Sequence, residues 1–288
     1  MKRFILPLLL FSSLMMPNER FKNTNEEAAG KSFKDFLKWT FTNKKPELVA
    51  IDSSDEWKEL DSGSTDYMVW IGHATYLINK DNLTVLTDPV FSKRASPVRF
   101  AGPKRLIPPA IPIDKLPPID VIMVSHNHYD HLDIRSLKKI YMANPEAIFL
   151  VPMGDRRRLE RKGIKNVKEF LWWEEIEIKG SKFTYTPVQH WSARGIADRN
   201  KSLWGGWFMQ LKEEAIYHAG DTGYSKDFIE TKNRLGSPSL SLIPVGAYAP
   251  RWFMKTHHVN PSEAIQIAID LESEKNYGMH WGLSLIHI

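Results

Sequence analysis

The run Ser125-His126-Asn127-His128-Tyr129-Asp130-His131 directly follows a short apolar segment, Val121-Ile122-Met123-Val124. It sets His126, His128, Asp130 and His131 on a loop that begins where a buried strand should end. Alternation along an extended chain points His126 and His128 the same way. Imidazole nitrogens beside a carboxylate suit zinc or a similar first-row metal. A solvated charge cluster explains one or two of these residues. It explains the set poorly, because the run abuts a strand and contains three histidines.

The chain has no cysteine, which excludes disulfides and thiolate metal sites. Any metal must then be held by histidine and carboxylate. With 288 residues, 42% hydrophobic and 25% charged, it can bury a core as one large domain or two small ones. The net charge of +5 is a mild excess. The densest basic run, Arg156-Arg157-Arg158-Leu159-Glu160-Arg161-Lys162, reads as the solvated side of a helix, and nucleic acid is not an expected partner.

Residues 1–20 form a signal-like or membrane-anchor segment, with Lys2 and Arg3 ahead of an apolar stretch from Phe4 to Met16. The stretch is shorter than the roughly 20 residues a spanning helix needs. It points to an exported or membrane-associated protein, a cytoplasmic one being the alternative. Residues 21–65 are a polar lead-in, with an amphipathic piece around Phe33–Trp39 that should pack on the main domain. Residues 66–282 carry the main domain. Residues 283–288, Leu-Ser-Leu-Ile-His-Ile, are what a transposon-based sequencing adapter encodes in frame. The expectation is that they are an artefact and that the genuine protein continues past Gly282.

Apolar runs ended by turn residues predict strands at Tyr67–Ile71, Thr75–Ile78, Leu83–Thr87, Ala147–Val151, Val167–Trp172, Lys182–Val188, Ser202–Leu211, Ala215–His218 and Leu240–Val245. Helices are predicted at Ile134–Met142, Gly154–Lys162, Lys226–Leu235 and Ala264–Leu271, the last opened by Asn260-Pro261-Ser262-Glu263. The Pro103–Pro118 link reads as an ordered surface loop. Strands that precede and alternate with a few helices argue for packed sheets covered by helices, an α/β protein.

Three further positions look like ligands delivered by strand ends: His190 in Gln189-His190-Trp191, Asp221 in Ala219-Gly220-Asp221-Thr222-Gly223, and His280 in Met279-His280-Trp281. Taken singly, each also fits a core histidine or a turn-former. Their order with the H-x-H-x-D-H run resembles the metallo-β-lactamase superfamily. That resemblance implies a four-layer αββα sandwich with a dinuclear site on one edge. By it, His126, His128 and His190 would hold one metal; Asp130, His131 and His280 would hold the second; Asp221 would bridge both.

A closer resemblance lies outside the ligands. Trp70-Ile71-Gly72-His73-Ala74-Thr75, Leu86-Thr87-Asp88-Pro89-Val90-Phe91-Ser92-Lys93-Arg94-Ala95-Ser96-Pro97, Leu203-Trp204-Gly205-Gly206-Trp207 and Gly246-Ala247-Tyr248-Ala249-Pro250-Arg251-Trp252 are similar to N-acylphosphatidylethanolamine-hydrolysing phospholipase D. The similarity runs from about Trp70 to Gly282. It implies two Zn²⁺ ions (or Fe or Mn) and a hydroxide between them that attacks phosphorus, yielding N-acylethanolamine and phosphatidic acid. Asp130 would be essential to catalysis, and His258 would sit near the substrate phosphate or leaving oxygen. The resemblance makes a phospholipid the substrate and a membrane surface the partner. Trp191, Trp204, Trp207, Trp252 and Phe253 are candidates to line an acyl-chain surface, with core packing the equal alternative for most of them. His73 reads as an orienting residue; His218 and His257 are given no role. The alternative on the same scaffold is a lactonase or other ester hydrolase, since such a hydroxide also attacks carbonyls.

Overall fold

The computed structural model describes residues 20–27, 32–42, 56–59, 66–195 and 197–284. Residues 1–19 of the signal-like segment lie outside these, as do Leu285–Ile288 and parts of the lead-in. Among the described residues no helix is long and apolar enough to cross a membrane.

Twelve strands form two six-stranded sheets. The first contains β1 (Tyr67–Gly72), β2 (Thr75–Lys80), β3 (Leu83–Thr87), β4 (Val121–Met123), β5 (Ile148–Pro152) and β6 (Val167–Phe170), in that spatial order. β1 to β3 run antiparallel, and β3 to β6 are parallel. The second sheet runs β12-β11-β10-β9-β8-β7, from β7 (Glu175–Ile178), β8 (Ser181–Thr186), β9 (Gly206–Gln210), β10 (Ala215–His218), β11 (Leu240–Pro244) and β12 (Lys275–Met279). Its first four strands are antiparallel, and β10, β11 and β12 are parallel.

Period-two alternation sorts each strand between two cores. In the first sheet, Tyr76, Ile78, Val85, Val121, Met123 and Leu150 face the second sheet. Their neighbours Leu77, Leu86, Ile122, Phe149 and Val151 join Leu137, Ile140 and Leu159 in a separate core. Those last three belong to α2 (Ile134–Ala143) and α3 (Arg156–Glu160), which therefore cover the outer face. In the second sheet, Phe183, Tyr185 and Trp207 fill the space between sheets. On its other side Tyr217 meets Phe228 of α4 (Asp227–Leu235), and α6 (Pro261–Asp270) lies on β11. The result is the αββα sandwich that the sequence implied.

Several boundaries differ from expectation. The helix expected at 154–162 is only Arg156–Glu160, and the strand expected from Ser202 begins at Gly206, because Leu203 to Gly205 are tied to Met153 and Ser125 instead of a neighbouring strand. α6 begins at Pro261, capped by Asn260 and Glu263 in a reciprocal capping box. Strand β7 and the short α5 (Arg251–Met254) had no sequence expectation. The lead-in docks where it is described: Phe21 N donates to Asn200 O, and Trp39 of α1 (Phe33–Thr42) stacks on Phe253. Leu283 and Ser284 are buried, and Leu283 O accepts from Leu106 N.

Candidate metal centre

Strands β8 and β10 flank the antiparallel β9, so both end at the same edge of the second sheet, as does β12. The loops leaving those ends carry His190, Asp221 and His280. The end of β4 is brought to the same edge by bonds between the sheets. Trp207 Nε1 donates to Val124 O (2.9 Å), while Tyr185 Oη and Gly205 N donate to Ser125 O (2.7 and 3.0 Å). Residues 126–131 follow directly. Gly220, at φ +63°, permits the close turn: a Cβ there would lie 2.7 Å from Gly205 O and 2.8 Å from Ser125 Cβ.

Two clusters result. His126, His128, His190 and Asp221 offer ligand atoms that all lie within 4.8 Å of one another, and so do His73, Asp130, His131 and His280. In the first, His128 Nδ1 sits 2.8 Å from His126 Nε2 and 3.3 Å from His190 Nε2. Asp221 joins the two. Its Oδ2 is 2.9 Å from His280 Nε2, 3.2 Å from His131 Nε2, and 3.8 Å from both His126 Nε2 and His190 Nε2. Asp130 Oδ2 is 3.3 Å from His73 Nε2, 3.5 Å from His280 Nε2 and 3.7 Å from His131 Nε2. All seven residues expected as ligands thus meet in one place. His258 reaches it too, with Nδ1 3.9 Å from Asp221 Oδ2 and its ring stacked on His280 at 5.1 Å.

The donor set fits metal ions. Three ring nitrogens converge in the first cluster, and Asp221 Oδ1 is buried with no hydrogen-bond partner. Burial holds His126 and His190 well below the ordinary histidine range and brings His128 down to about 4, so these rings are neutral and able to coordinate at pH 7. Burial also penalises a charged His131 and His280. There Asp221 and Asp130, with Asp88 for His131, win: His131 is held well above the usual range and His280 at about 9. Burial favours a protonated Asp221, but His131 and His280 keep it ionised. The first set is thus held neutral by burial, and a cation in the second would displace the protons that Asp221 and Asp130 favour on His131 and His280.

Sequence reasoning missed the groups that aim these rings. Asp88 reads as a turn former before Pro89, yet it is fully buried and its Oδ2 lies 2.7 Å from His131 Nδ1. It also accepts from Ser125 N and Ser125 Oγ, both at 2.7 Å. His190 Nδ1 donates to His257 O (3.0 Å), which turns Nε2 toward the cluster. Asn23 of the lead-in accepts from His190 N (3.1 Å) and Trp204 Nε1 (2.9 Å). His73, expected to orient, stands inside the second cluster and bonds Asp130. A carboxylate at the end of a buried strand, as Asp88 is after β3, was the one available signal. Of the surface candidates, Trp204 and Trp207 take the core alternative: both are fully buried, their ring N–H groups spent on Asn23, Val188 and Val124. Trp191 instead lies edge-on to His128 at 4.4 Å, and Trp252 is 42% exposed.

Comparison with known proteins agrees with this geometry. A family model described as "Beta-lactamase superfamily domain" matches residues 84–281. The chain is 40% identical over 226 residues to "N-acyl-phosphatidylethanolamine-hydrolyzing phospholipase D 1" of Caenorhabditis elegans, covering 75% of this chain and 64% of that protein. It is 39% identical to "N-acyl-phosphatidylethanolamine-hydrolyzing phospholipase D, mitochondrial" of Saccharomyces cerevisiae, covering 75% of this chain and 47% of that one. It therefore spans about two thirds and about half of these relatives' lengths. Among solved structures, isothiocyanate hydrolase from Delia radicum gut bacteria shares the fold, with a TM-score of 0.61 at 17% identity over 77% of this chain and 87% of that one. With the sandwich, the edge cluster and these matches together, the chain belongs to the beta-lactamase superfamily and has the metallo-β-lactamase fold.

Proposed function

We propose that this chain is a phospholipase D-type phosphodiesterase that hydrolyses N-acylphosphatidylethanolamine-type phospholipids to N-acylethanolamine and phosphatidic acid. The observation that carries the reading is the pair of histidine–carboxylate clusters joined by buried Asp221, a member of the first whose Oδ2 lies 2.9 Å from His280 Nε2 and 3.2 Å from His131 Nε2 of the second. The identity to the two phospholipase D relatives supports the substrate class. In this reading His126, His128 and His190 would hold one cation, Asp130, His131 and His280 would hold a second, and Asp221 would serve both. Zinc is the expected ion, with iron or manganese as alternatives. When bound, such a pair supplies Lewis acidity toward a phosphoryl oxygen and brings the pKa of water near neutrality.

The chain's own groups do the rest. Asp88, Ser125 and the His257 carbonyl fix which ring nitrogens face inward. Burial excludes bulk water, so each charge in the pocket acts through a low dielectric. Asp130 keeps a partly exposed side chain, and in this reading it would accept a hydrogen bond from the attacking water. His258 is held neutral by burial, and its Nδ1 is buried without a hydrogen-bond partner. Facing Asp221, it is available to the phosphoryl or leaving oxygen.

A lipid substrate and membrane association are supported by a surface next to this loop. Leu37, Phe41, Tyr248 and Trp252, on α1 and at α5, are all exposed, and α5 leads straight into His257 and His258. The test is N-acylethanolamine release from vesicles of N-acylphosphatidylethanolamine by metal-loaded protein, followed by mass spectrometry. Release that falls at least about 100-fold in Asp130→Asn supports the reading. Turnover confined to lactones or simple esters contradicts the substrate, and no turnover of either contradicts the activity.

A further inference from the structure

A second concave site lies against α2, outside the metal centre. It is a cavity of about 430 Å³ lined by Lys93, Arg94, Arg99, Arg135 and Lys139, with Phe91 and Ile113 as apolar wall. No acidic side chain lines it, and none of its residues belongs to the two clusters. One carboxylate beside the lining, Asp133, is buried and committed to the start of α2. It accepts from Ser92 N (3.0 Å), Arg135 N (3.1 Å) and Ser136 Oγ (2.5 Å), and stands 3.8 Å from Arg135 Nε.

Arg94 is aimed by a neutral partner that leaves its charge in place, and Arg135 by a neutral partner besides its 3.8 Å contact with Asp133. Arg94 Nη1 donates to Gly102 O (2.6 Å) and Arg135 Nη2 to Ser96 O (3.2 Å). A guanidinium has five N–H donors, so most remain for a ligand. Elsewhere on this surface basic residues pair with acids, as in Arg156–Glu160, Arg234–Glu230 and Lys232–Glu272. Among the described residues Lys93, Arg94, Arg99 and Lys139 make no ion pair. Five like charges around one concavity repel, and low-dielectric walls focus their field into it.

We propose that this cavity binds a phosphate-type oxyanion, the group whose geometry the arginine fork matches. Two sources share that chemistry: free phosphate, and the phosphate of an anionic lipid. The loop that carries Arg99 also exposes Phe100 (83%) and Val98 (37%), apolar side chains able to enter a lipid surface beside the cations.

The test compares the metal-loaded full chain with its Arg99→Gln/Lys139→Gln variant, both side chains being exposed. Inorganic phosphate is titrated by calorimetry, and vesicles of phosphatidylcholine with and without phosphatidic acid are co-sedimented. Because the metal centre also takes phosphate, only the difference between the two proteins reads the cavity. An unchanged unfolding temperature shows that the variant is folded, and Arg99→Lys/Lys139→Arg should keep binding. We expect the Gln variant to bind at least about tenfold more weakly. Loss toward phosphatidic acid vesicles alone assigns a lipid phosphate; loss toward inorganic phosphate assigns the free anion as sufficient. Equal binding of both probes by both proteins overturns the proposal, as does an equal loss toward vesicles without phosphatidic acid.

Discussion

Replacing Asp88 with Asn changes one oxygen to NH₂ and should loosen one metal position selectively. The carboxylate takes three hydrogen bonds, from Ser125 N, Ser125 Oγ and His131 Nδ1, each 2.7 Å long. Asparagine keeps one carbonyl oxygen, which accepts at most two of them, so one buried donor faces an NH₂ group. An unmet buried donor costs about 1–3 kcal/mol, and each 1.4 kcal/mol is tenfold in affinity. If the strain falls on His131, affinity for the cation of the Asp130–His131–His280 set drops about 5- to 150-fold. That agrees with the roughly 10- to 100-fold usual for an orienting partner of a metal-bound histidine. The His126–His128–His190 set meets Asp88 only through Ser125 Oγ, which lies 3.0 Å from His126 Nδ1, and should lose less affinity. The assay is competition with a chromogenic chelator, which resolves a tight and a weak site. Unchanged affinity at both sites would refute the orienting role, and equal loss at both would mean general unfolding instead.

Arg194 Nη1 donates to Asn127 O (2.9 Å) and Leu132 O (2.7 Å), and the guanidinium lies 3.8 Å over the Tyr129 ring, bracketing the ligand loop at both ends. Arg194→Ala should cost about 2–3 kcal/mol in urea unfolding and weaken metal binding at both sets; unchanged values contradict this. Metal-free protein should be most stable near neutral pH. His126, His128 and His190 have lowered folded-state pKa values, so the unfolded chain binds more protons and stability falls as pH drops from about 6.5 toward 4. His280 is raised to about 9, so its contribution is full below about 6.5 and is lost as pH rises through 9. A flat unfolding temperature from pH 5 to 9.5 in chelator would contradict those environments.

Much of the fold was legible where one physical signal acts alone. Apolar runs closed by turn residues marked β1, β2, β3, β5 and β10 within a residue or two, and Asn260-Pro261-Ser262-Glu263 marked the start of α6. The edge strand β7 was missed because Glu-Ile-Glu-Ile is short and its outward face is charged. α5 has only four residues and rests on contacts distant in sequence, such as Phe253 with Trp39. In the site, residues with metal-binding side chains at strand ends announced themselves. Their supports did not: Asn23 serves His190 from 167 positions away, and Asp88 serves His131 from 43. Nearness in sequence also misled. Trp204 and Trp207 stand close to His190 along the chain, but the pleat of β9 turns Trp207 into the core and hydrogen bonds to Asn23 and Val188 hold Trp204 there.

The most direct test is an anomalous-scattering map from crystals of the purified protein, recorded above the absorption edge of the bound metal. Two peaks are predicted, one among His126, His128 and His190 and one among Asp130, His131 and His280, with Asp221 contacting both. A single peak, or density away from Asp221, would contradict the account.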